Sequence, residues 1–175
     1  MPGGSPATFQ SRVRVESLVL SEVLAAPREP STTDQLRLDW IELENRSSLS
    51  VDLSGYQLID ETGRSEYVFG NDSILRPGER LVVSEQNQGN DESGFLFGLD
   101  RDGDSVVLLN DSGERVDAVS FGRQLPGYSL IQDEAGKWSL GVPTPGDSNV
   151  QASIAPLSAL RINELMAAPL PGQNN

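Results

Sequence analysis

The chain of 175 residues has no cysteine and no histidine. Zinc sites built on thiolates or imidazoles are therefore excluded, and so is any nucleophile activated by a histidine. Without cysteine the fold must draw its stability from burial rather than cross-links, and the absence leaves the cellular compartment open. Positive charge is scarce: Lys137 is the one lysine, the arginines are scattered singly, and 26 acidic residues bring the net charge to −13. Nucleic-acid affinity rests on clustered positive charge, so nucleic acid is not an expected partner. No apolar stretch approaches the roughly 20 residues a membrane helix needs, and membrane insertion is not expected either. The opening Met1-Pro2-Gly3-Gly4-Ser5-Pro6 carries no charged or apolar signal region; it reads as the edge of a domain within a longer protein. No heptad pattern appears, so no coiled coil is expected.

What is present is a succession of short strands and turns. Val13 and Val15 alternate with Arg12, Arg14 and Glu16, and an apolar run from Leu18 to Leu24 ends at Ala25-Ala26-Pro27. Leu36, Leu38 and Trp40 hold one phase while Ile41 and Leu43 hold the other, which predicts a β-bulge near Trp40. Gly55 precedes a strand from Tyr56 to Ile59, and Asp60 to Gly63 connects it to Tyr67-Val68-Phe69. Leu75-Arg76-Pro77-Gly78-Glu79 places Pro and Gly where a tight turn wants them, ahead of Leu81 to Ser84. Gln86 to Gly94 is a polar loop, and Phe95-Leu96-Phe97 a short strand. Val106 to Leu109 reads as a central strand buried on both faces. Asn110-Asp111-Ser112-Gly113 then returns the chain into Val116 to Phe121 as a hairpin. Turn signals recurring about every ten residues, with no sustained helical spacing, predict an all-β sandwich.

Taken in order, Asp39-Trp40-Ile41-Glu42-Leu43-Glu44-Asn45, Leu53-Ser54-Gly55-Tyr56-Gln57-Leu58, Leu75 to Val83 and Asp104 to Asp117 resemble the lamin tail domain family. The likeness spans about Leu18 to Asn149, and the bacterial and archaeal members are the most similar group. They share the Ser21-Glu22-Val23-Leu24-Ala25-Ala26-Pro27 opening and an ending like Leu125 to Leu130, Trp138, and Pro143-Thr144-Pro145-Gly146 before Asn149. The resemblance implies an immunoglobulin-like β-sandwich and a non-catalytic module. Similar prokaryotic domains sit in exported, multidomain proteins, sometimes beside nucleases or other hydrolases. An extracellular or cell-surface location is the matching expectation.

Residues 159–169 echo residues 17–27: Glu164 matches Glu22, and Ala167-Ala168-Pro169 match Ala25-Ala26-Pro27 without a gap. The expected layout is a flexible segment over 1–11, a lamin-tail-like sandwich over 12–149, a linker over 150–158, and the truncated start of a second repeat over 159–175. Self-association through sheet edges or through the repeated strand is an expected consequence.

Asp100, Asp102 and Asp104 alternate around Gly103, a set that suits a hard cation such as Ca²⁺. The twelve-residue EF-hand spacing fails, so further ligands would have to come from Asp91 and Glu92, or from Asp133 and Glu134. The plainer reading, aspartates capping amides of a solvated turn, is preferred. For catalysis the candidate pair is Asp39 with Glu42 or Glu44, and acidic residues on a strand face are more often solvated. No catalytic residue and no organic cofactor is expected. Arg12, Arg14 and Arg37 read as cross-strand ion-pair partners. Asn45-Arg46-Ser47, Asn71-Asp72-Ser73 and Asn110-Asp111-Ser112 match the glycosylation pattern and are read as turns. The function expected is a protein- or cell-surface-binding spacer module; a calcium-stabilised adhesive domain and a targeting domain of a linked hydrolase are the alternatives.

Overall fold

β1 (Leu18–Leu24) explains how the chain becomes a sandwich. Leu18 and Leu20 point into the core, then Val23 and Ala25, so the apolar spacing jumps from two to three. The extra residue is a β-bulge: Leu20 pairs with Leu43 and Glu22 with Glu42, leaving Ser21 over. Both Ser21 and Glu22 thereby face away from the core.

The computed structural model describes residues 17–25, 38–60, 66–85, 94, 95, 97–155, 157–159, 161 and 162. The expected strand around Val13 and Val15, the arginines at 12, 14 and 37, the connection over 61–63 and the stretch 163–175 lie outside these residues.

Twelve strands are described. After β1 come β2 (Trp40–Asn45), β3 (Val51–Asp52), β4 (Gln57–Asp60), β5 (Glu66–Val68), β6 (Ile74–Leu75) and β7 (Arg80–Ser84). They are followed by β8 (Gly103–Leu109), β9 (Arg115–Gly122), β10 (Ser129–Gln132), β11 (Trp138–Val142) and β12 (Val150–Gln151). All named ladders are antiparallel, in a six-stranded sheet β12-β11-β10-β1-β2-β7, a four-stranded sheet β5-β4-β8-β9 and a small β3-β6 pair. Between the two large sheets lie Leu18, Leu20, Val23, Ile41, Leu43 and Val83 from one side and Leu58, Val106, Leu108, Val119 and Phe121 from the other. The chain is thus the all-β sandwich that the strand pattern predicted, of the immunoglobulin-like kind that the resemblance implied.

The sheets approach most closely where β1 meets β9. There, β9 and the turn after it bond the amide of Leu20 in β1 and that of Ala25 just beyond it. The Leu20 amide donates to Asp117 Oδ2 at 2.8 Å, and the Ala25 amide to Gln124 Oε1 at 2.9 Å. A buried unpaired amide is costly, so these two side chains weld the sheets together.

Three local readings need correcting. β2 has no bulge at Trp40: its register with β7 is unbroken from Trp40 opposite Ser84 to Glu44 opposite Arg80. Both faces of β2 are covered, so Trp40 and Ile41 are buried on opposite sides without any phase change. β8 is central, but only Val106 and Leu108 are fully buried; Val107 and Leu109 are half-exposed on the outer face. Phe95 and Phe97 do not form a strand. Their rings stack at 4.7 Å inside the core, and Phe95 makes a single parallel bridge to Glu85. The Asn110–Gly113 hairpin joins β8 and β9 as expected, with Gly113 at φ 75° and Asn110 Oδ1 accepting the amides of Ser112 and Glu114.

Gly141 marks the tightest packing in the six-stranded sheet. A Cβ there would stand 2.4 Å from Ile131 Cγ2 and 3.0 Å from Ser129 Oγ. The contact is to a branched side chain that is itself buried, so it has little room to yield. Gly141→Ala is expected to cost about 2 kcal/mol as an overpacked core position. Combining it with Ile131→Ala should cost less than the sum of the two single changes in urea unfolding.

Candidate functional site

The bulge in β1 builds the most unusual feature of the molecule. It sets Glu22 directly opposite Glu42, two carboxylates side by side on the outer face of the six-stranded sheet, both with 0% exposure. Each is fully bonded. Glu22 Oε1 accepts from Ser129 Oγ at 2.5 Å and from the Thr144 amide at 3.1 Å, and Oε2 accepts from Thr144 Oγ1 at 3.0 Å. Glu42 Oε1 accepts from Ser21 Oγ at 2.6 Å, and Oε2 from the Gly146 amide at 2.7 Å. Arg80 Nε lies 3.4 Å from Glu42 Oε1, and its guanidinium also bonds Glu44. Arg46 continues the ladder, with Nε 2.7 Å from Glu44 Oε2 and both terminal nitrogens on Gln132 and Asp133 across β1.

The partners of the glutamates lie far along the chain. Pro143-Thr144-Pro145-Gly146 forms a strap over the outer face. A Thr144–Asp147 turn with Gly146 at φ 81° shapes it, and Asn149 Nδ2 holds it to the Ser21 carbonyl at 2.9 Å. Burial pushes the pKa of Glu22 up against the pull of its hydrogen bonds from Ser129 and Thr144, and the neighbouring Glu42 pushes it further. Burial likewise raises Glu42, opposed by Ser21, Gly146 and the charge of Arg80. With every carboxylate oxygen engaged by the protein itself, the pair anchors the strap to β1 and β2.

Sequence comparison decides what kind of module this is: the lamin tail domain family matches residues 14–123. The chain belongs to that family. The family is a non-enzymatic one with an immunoglobulin-like fold. No curated protein sequence matches the chain significantly. In this lamin tail domain the matched region ends with β9. β10 to β12 and the strap follow it and complete the six-stranded sheet. Val150 and Gln151, read from composition as the start of a linker, form β12 on Val142 and Gly141.

Sequence reasoning did not single out Glu22 or the strap as a unit. The signal was present in the Glu shared by the two copies of the Ala-Ala-Pro motif and in the Pro-Thr-Pro-Gly ending. Glu42 and Glu44 do share a face, but Glu42 is buried rather than solvated, because the strap covers it.

Asp100, Asp102 and Asp104 form a turn in which their carboxylates bond locally. Asp100 Oδ1 accepts the Asp102 amide at 2.9 Å, Asp104 Oδ2 the Asp100 amide at 3.0 Å and Asp104 Oδ1 the Ser105 amide at 2.7 Å. Asp102 Oδ1 lies 3.4 Å from Arg123 Nε. Asp133 Oδ1 accepts the amides of Ala135 and Lys137 in its own turn. Asp91 and Glu92 lie outside the described residues. Among the described residues no three acidic side chains gather as a metal would require, and no helix is long and apolar enough to cross a membrane. Because Asp100 and Asp104 already accept amides of their own turn and Asp102 faces Arg123, millimolar Ca²⁺, against EDTA with Mg²⁺ as control, is expected to shift Tm by under about 1 °C. A rise of several degrees with Ca²⁺ alone would restore these aspartates as a site.

Asp39 stands apart from Glu42 and Glu44, at the other end of β2 from the arginine ladder. Its Oδ2 accepts the Leu99 amide at 2.9 Å. Burial raises its pKa to about 6 against that hydrogen bond, with the charges of Glu85 and Asp104 adding to the rise. Raised above its unfolded value, Asp39 contributes stability that is present below pH 4 and lost as pH climbs through 6. The loss is at most about 3 kcal/mol, since each pKa unit is worth about 1.4 kcal/mol. Asp39→Asn keeps the acceptor for Leu99 without the charge. Melting curves across pH 4.5–7.5 should be flatter for this variant than for the parent; identical profiles would remove Asp39 as the cause.

Proposed function

We propose that this chain is a non-catalytic association and spacer module of an exported or surface-attached multidomain protein, of the bacterial or archaeal lamin-tail type. Membership of a non-enzymatic family supports the first part of this reading. A second observation supports the same non-catalytic part: the fate of the polar groups inside the fold. The buried carboxylates Glu22 and Glu42, which a hydrolase would aim into a cleft, are spent on tying the strap to the sheet. What remains for contact with other molecules is the outside: the turns at the sandwich ends, the acidic surface and the strands β5, β7, β9 and β12, which end their sheets among the described residues. A surplus of acidic charge keeps such a module soluble and selects against polyanionic partners.

The test is retention on cells. Fluorescently labelled chain is added to intact cells of the source organism, with excess unlabelled chain as competitor. Saturable binding that the competitor removes is expected. Binding that never saturates, or none at all, would overturn the surface-association reading.

A further inference from the structure

The six-stranded sheet is wider than the four-stranded sheet that covers it, and the overhang is apolar. β9 lies against β1, so the covering sheet extends from β1 toward β7 and leaves the inner face of β10, β11 and β12 beyond its edge. Register assigns the side chains on that face. Leu130 and Trp138 pack against the margin of the core; Leu130 stands opposite Leu140, and Val142 opposite Val150. Trp138, Leu140 and Val142 alternate along one face of β11. Exposure rises outward from half-buried Leu130 and Leu140 to 44% at Val142 and 51% at Val150.

β12, the last strand among the described residues, ends on this overhang, and soon afterwards the sequence echoes β1. The geometry of β1 shows how closely. Its core-facing residues are Leu18, Leu20 and Val23, spaced two and then three by the bulge. Residues 159–169 carry Leu160, Ile162 and Leu165 at those same positions. Asn163 replaces the outward-facing Ser21, Arg161 replaces half-exposed Val19, and Glu164 stands where Glu22 anchors the strap. A chance apolar strand would alternate strictly; this segment reproduces an irregular spacing together with the carboxylate that goes with it. In this chain Ile162 is 88% exposed, whereas Leu20 is fully buried. Ile162 is not in the environment its place in the pattern specifies.

We propose that residues 159–169 are the first strand of a second lamin tail sandwich, and that this second copy docks on the inner face of β10–β12. The proposal rests on the spacer-module reading and specifies its partner as the next copy in the array. β1 needs β2 and β10 on either side and a strap over its glutamate, so the repeated strand belongs inside its own sandwich rather than on the edge of β12. Residues 152–159 are the only tether, with Ala152 buried and its amide bonded to Leu140. Fully extended they reach about 26–29 Å. A neighbour on so short a tether meets the overhang at an effective concentration in the millimolar range, enough for a modest apolar patch to hold it. An array docked in this way is a stiff rod of sandwiches rather than a string of independent beads.

Two experiments test the two halves separately. In the first, residues 159–169 replace residues 17–27 in this chain. The swapped protein is expected to fold, with dispersed amide resonances and a Tm within about 10 °C of the parent, while the same residues in reversed order should leave it unfolded. If the swap is as unfolded as the reversed control, the repeat reading falls and the proposal with it. In the second, residues 1–169 are followed by residues 28–158, giving two complete sandwiches. Small-angle scattering should give a radius of gyration of about 19 Å if the copies dock and about 25 Å if they swing freely. Val142→Glu with Val150→Glu in the first copy should move the protein from the first value to the second. The same pair in the single chain, at exposed positions, should leave Tm nearly unchanged. Equal radii for parent and variant would overturn the docking surface while leaving the repeat standing. The cell-retention assay on the single chain is independent of both results.

Discussion

Glu22→Ala is expected to lower the unfolding free energy by about 4 kcal/mol, since it orphans one buried and two half-buried donors at roughly 1–3 kcal/mol each and opens a cavity. Some of this is offset because a carboxylate is no longer buried next to Glu42. The donors are Ser129 Oγ, the Thr144 amide and Thr144 Oγ1, and among the described residues Glu22 is the acceptor each of them uses. For a domain of this size the loss corresponds to a fall in Tm of about 15 °C. The change should be local at first, with amide exchange of Thr144 and Gly146 accelerating before that of β8 and β9. Glu22→Gln is the informative partner. It keeps the shape and one acceptor oxygen and removes a charge whose burial already favours the neutral form. It should cost only about 1 kcal/mol, as one neutral hydrogen bond is worth, and it should remove part of the pH dependence. Both glutamates have raised pKa values, so their contribution to stability is present below the ordinary carboxylate range and fades as pH rises through the folded values. If Glu22→Ala melts with the parent, or if Thr144 and Gly146 keep their protection, the strap is held by something other than the carboxylates.

Asn45→Ala should be nearly as damaging, at about 3 kcal/mol, because it strips several turns of one shared hub and leaves the buried Leu75 carbonyl unpaired. Asn45 has 0% exposure. Its Nδ2 donates to the carbonyls of Leu49 and Leu75, both at 2.8 Å, and its Oδ1 accepts the Ser47 amide at 3.0 Å and Ser47 Oγ at 2.7 Å. Its main chain adds two more links, donating to the Glu79 carbonyl and accepting from the Gly78 amide. One side chain thus joins the turn after β2, the start of the β6–β7 turn and the small β3-β6 sheet. Asn45→Asp should be at least as destabilising as alanine at neutral pH, since it sets a carboxylate against two carbonyl oxygens. Part of that loss should be recovered on acidification. Urea unfolding of the three proteins at pH 5 and 7.5 checks both points, and an Asp variant as stable as the parent would contradict the assigned orientation of the amide. The same bonds show why Asn45-Arg46-Ser47 is a turn and not a glycan acceptor: the nitrogen that would carry a sugar is buried and fully used.

Much of the sandwich was legible in the residues alone, for identifiable reasons. The Asn110–Gly113 turn announced its hairpin because φ above zero and Asx bonding are local requirements, met within five residues. Pro77-Gly78 marked its turn in the same way, with Gly78 at φ 74°. Turn signals located β4, β7 and β9, and the ordered set of strands carried the family resemblance that the match over 14–123 bears out. The bulge was misplaced at Trp40 because a phase change in apolar residues has two causes. It marks an extra residue when one face is exposed, and merely a strand covered on both sides when neither is. Sequence periodicity does not separate the two. The true bulge, at Ser21, lay inside the apolar run from Leu18 to Leu24, where a break in alternation hardly shows.

The candidate site divides along the same line. Composition by itself determined that this protein has no thiolate or imidazole chemistry, carries a strongly acidic surface and folds as strands joined by tight turns; each follows from residue types or from contacts a few positions apart. The likeness of residues 159–169 to residues 17–27 was equally plain, since it is a comparison of the chain with itself. Only the tertiary structure decided that Glu22 and Glu42 stand together in the dark of the fold while Asp100, Asp102 and Asp104 stay in their own turn. Acidic residues look alike in a sequence. What distinguishes them is whether a distant segment, here Thr144 to Gly146, closes over them and supplies the donors that make burial of a carboxylate tolerable. The overhang of β10–β12 was invisible for the same reason, because which apolar face goes uncovered depends on the width of the opposite sheet and on no residue within the strands themselves.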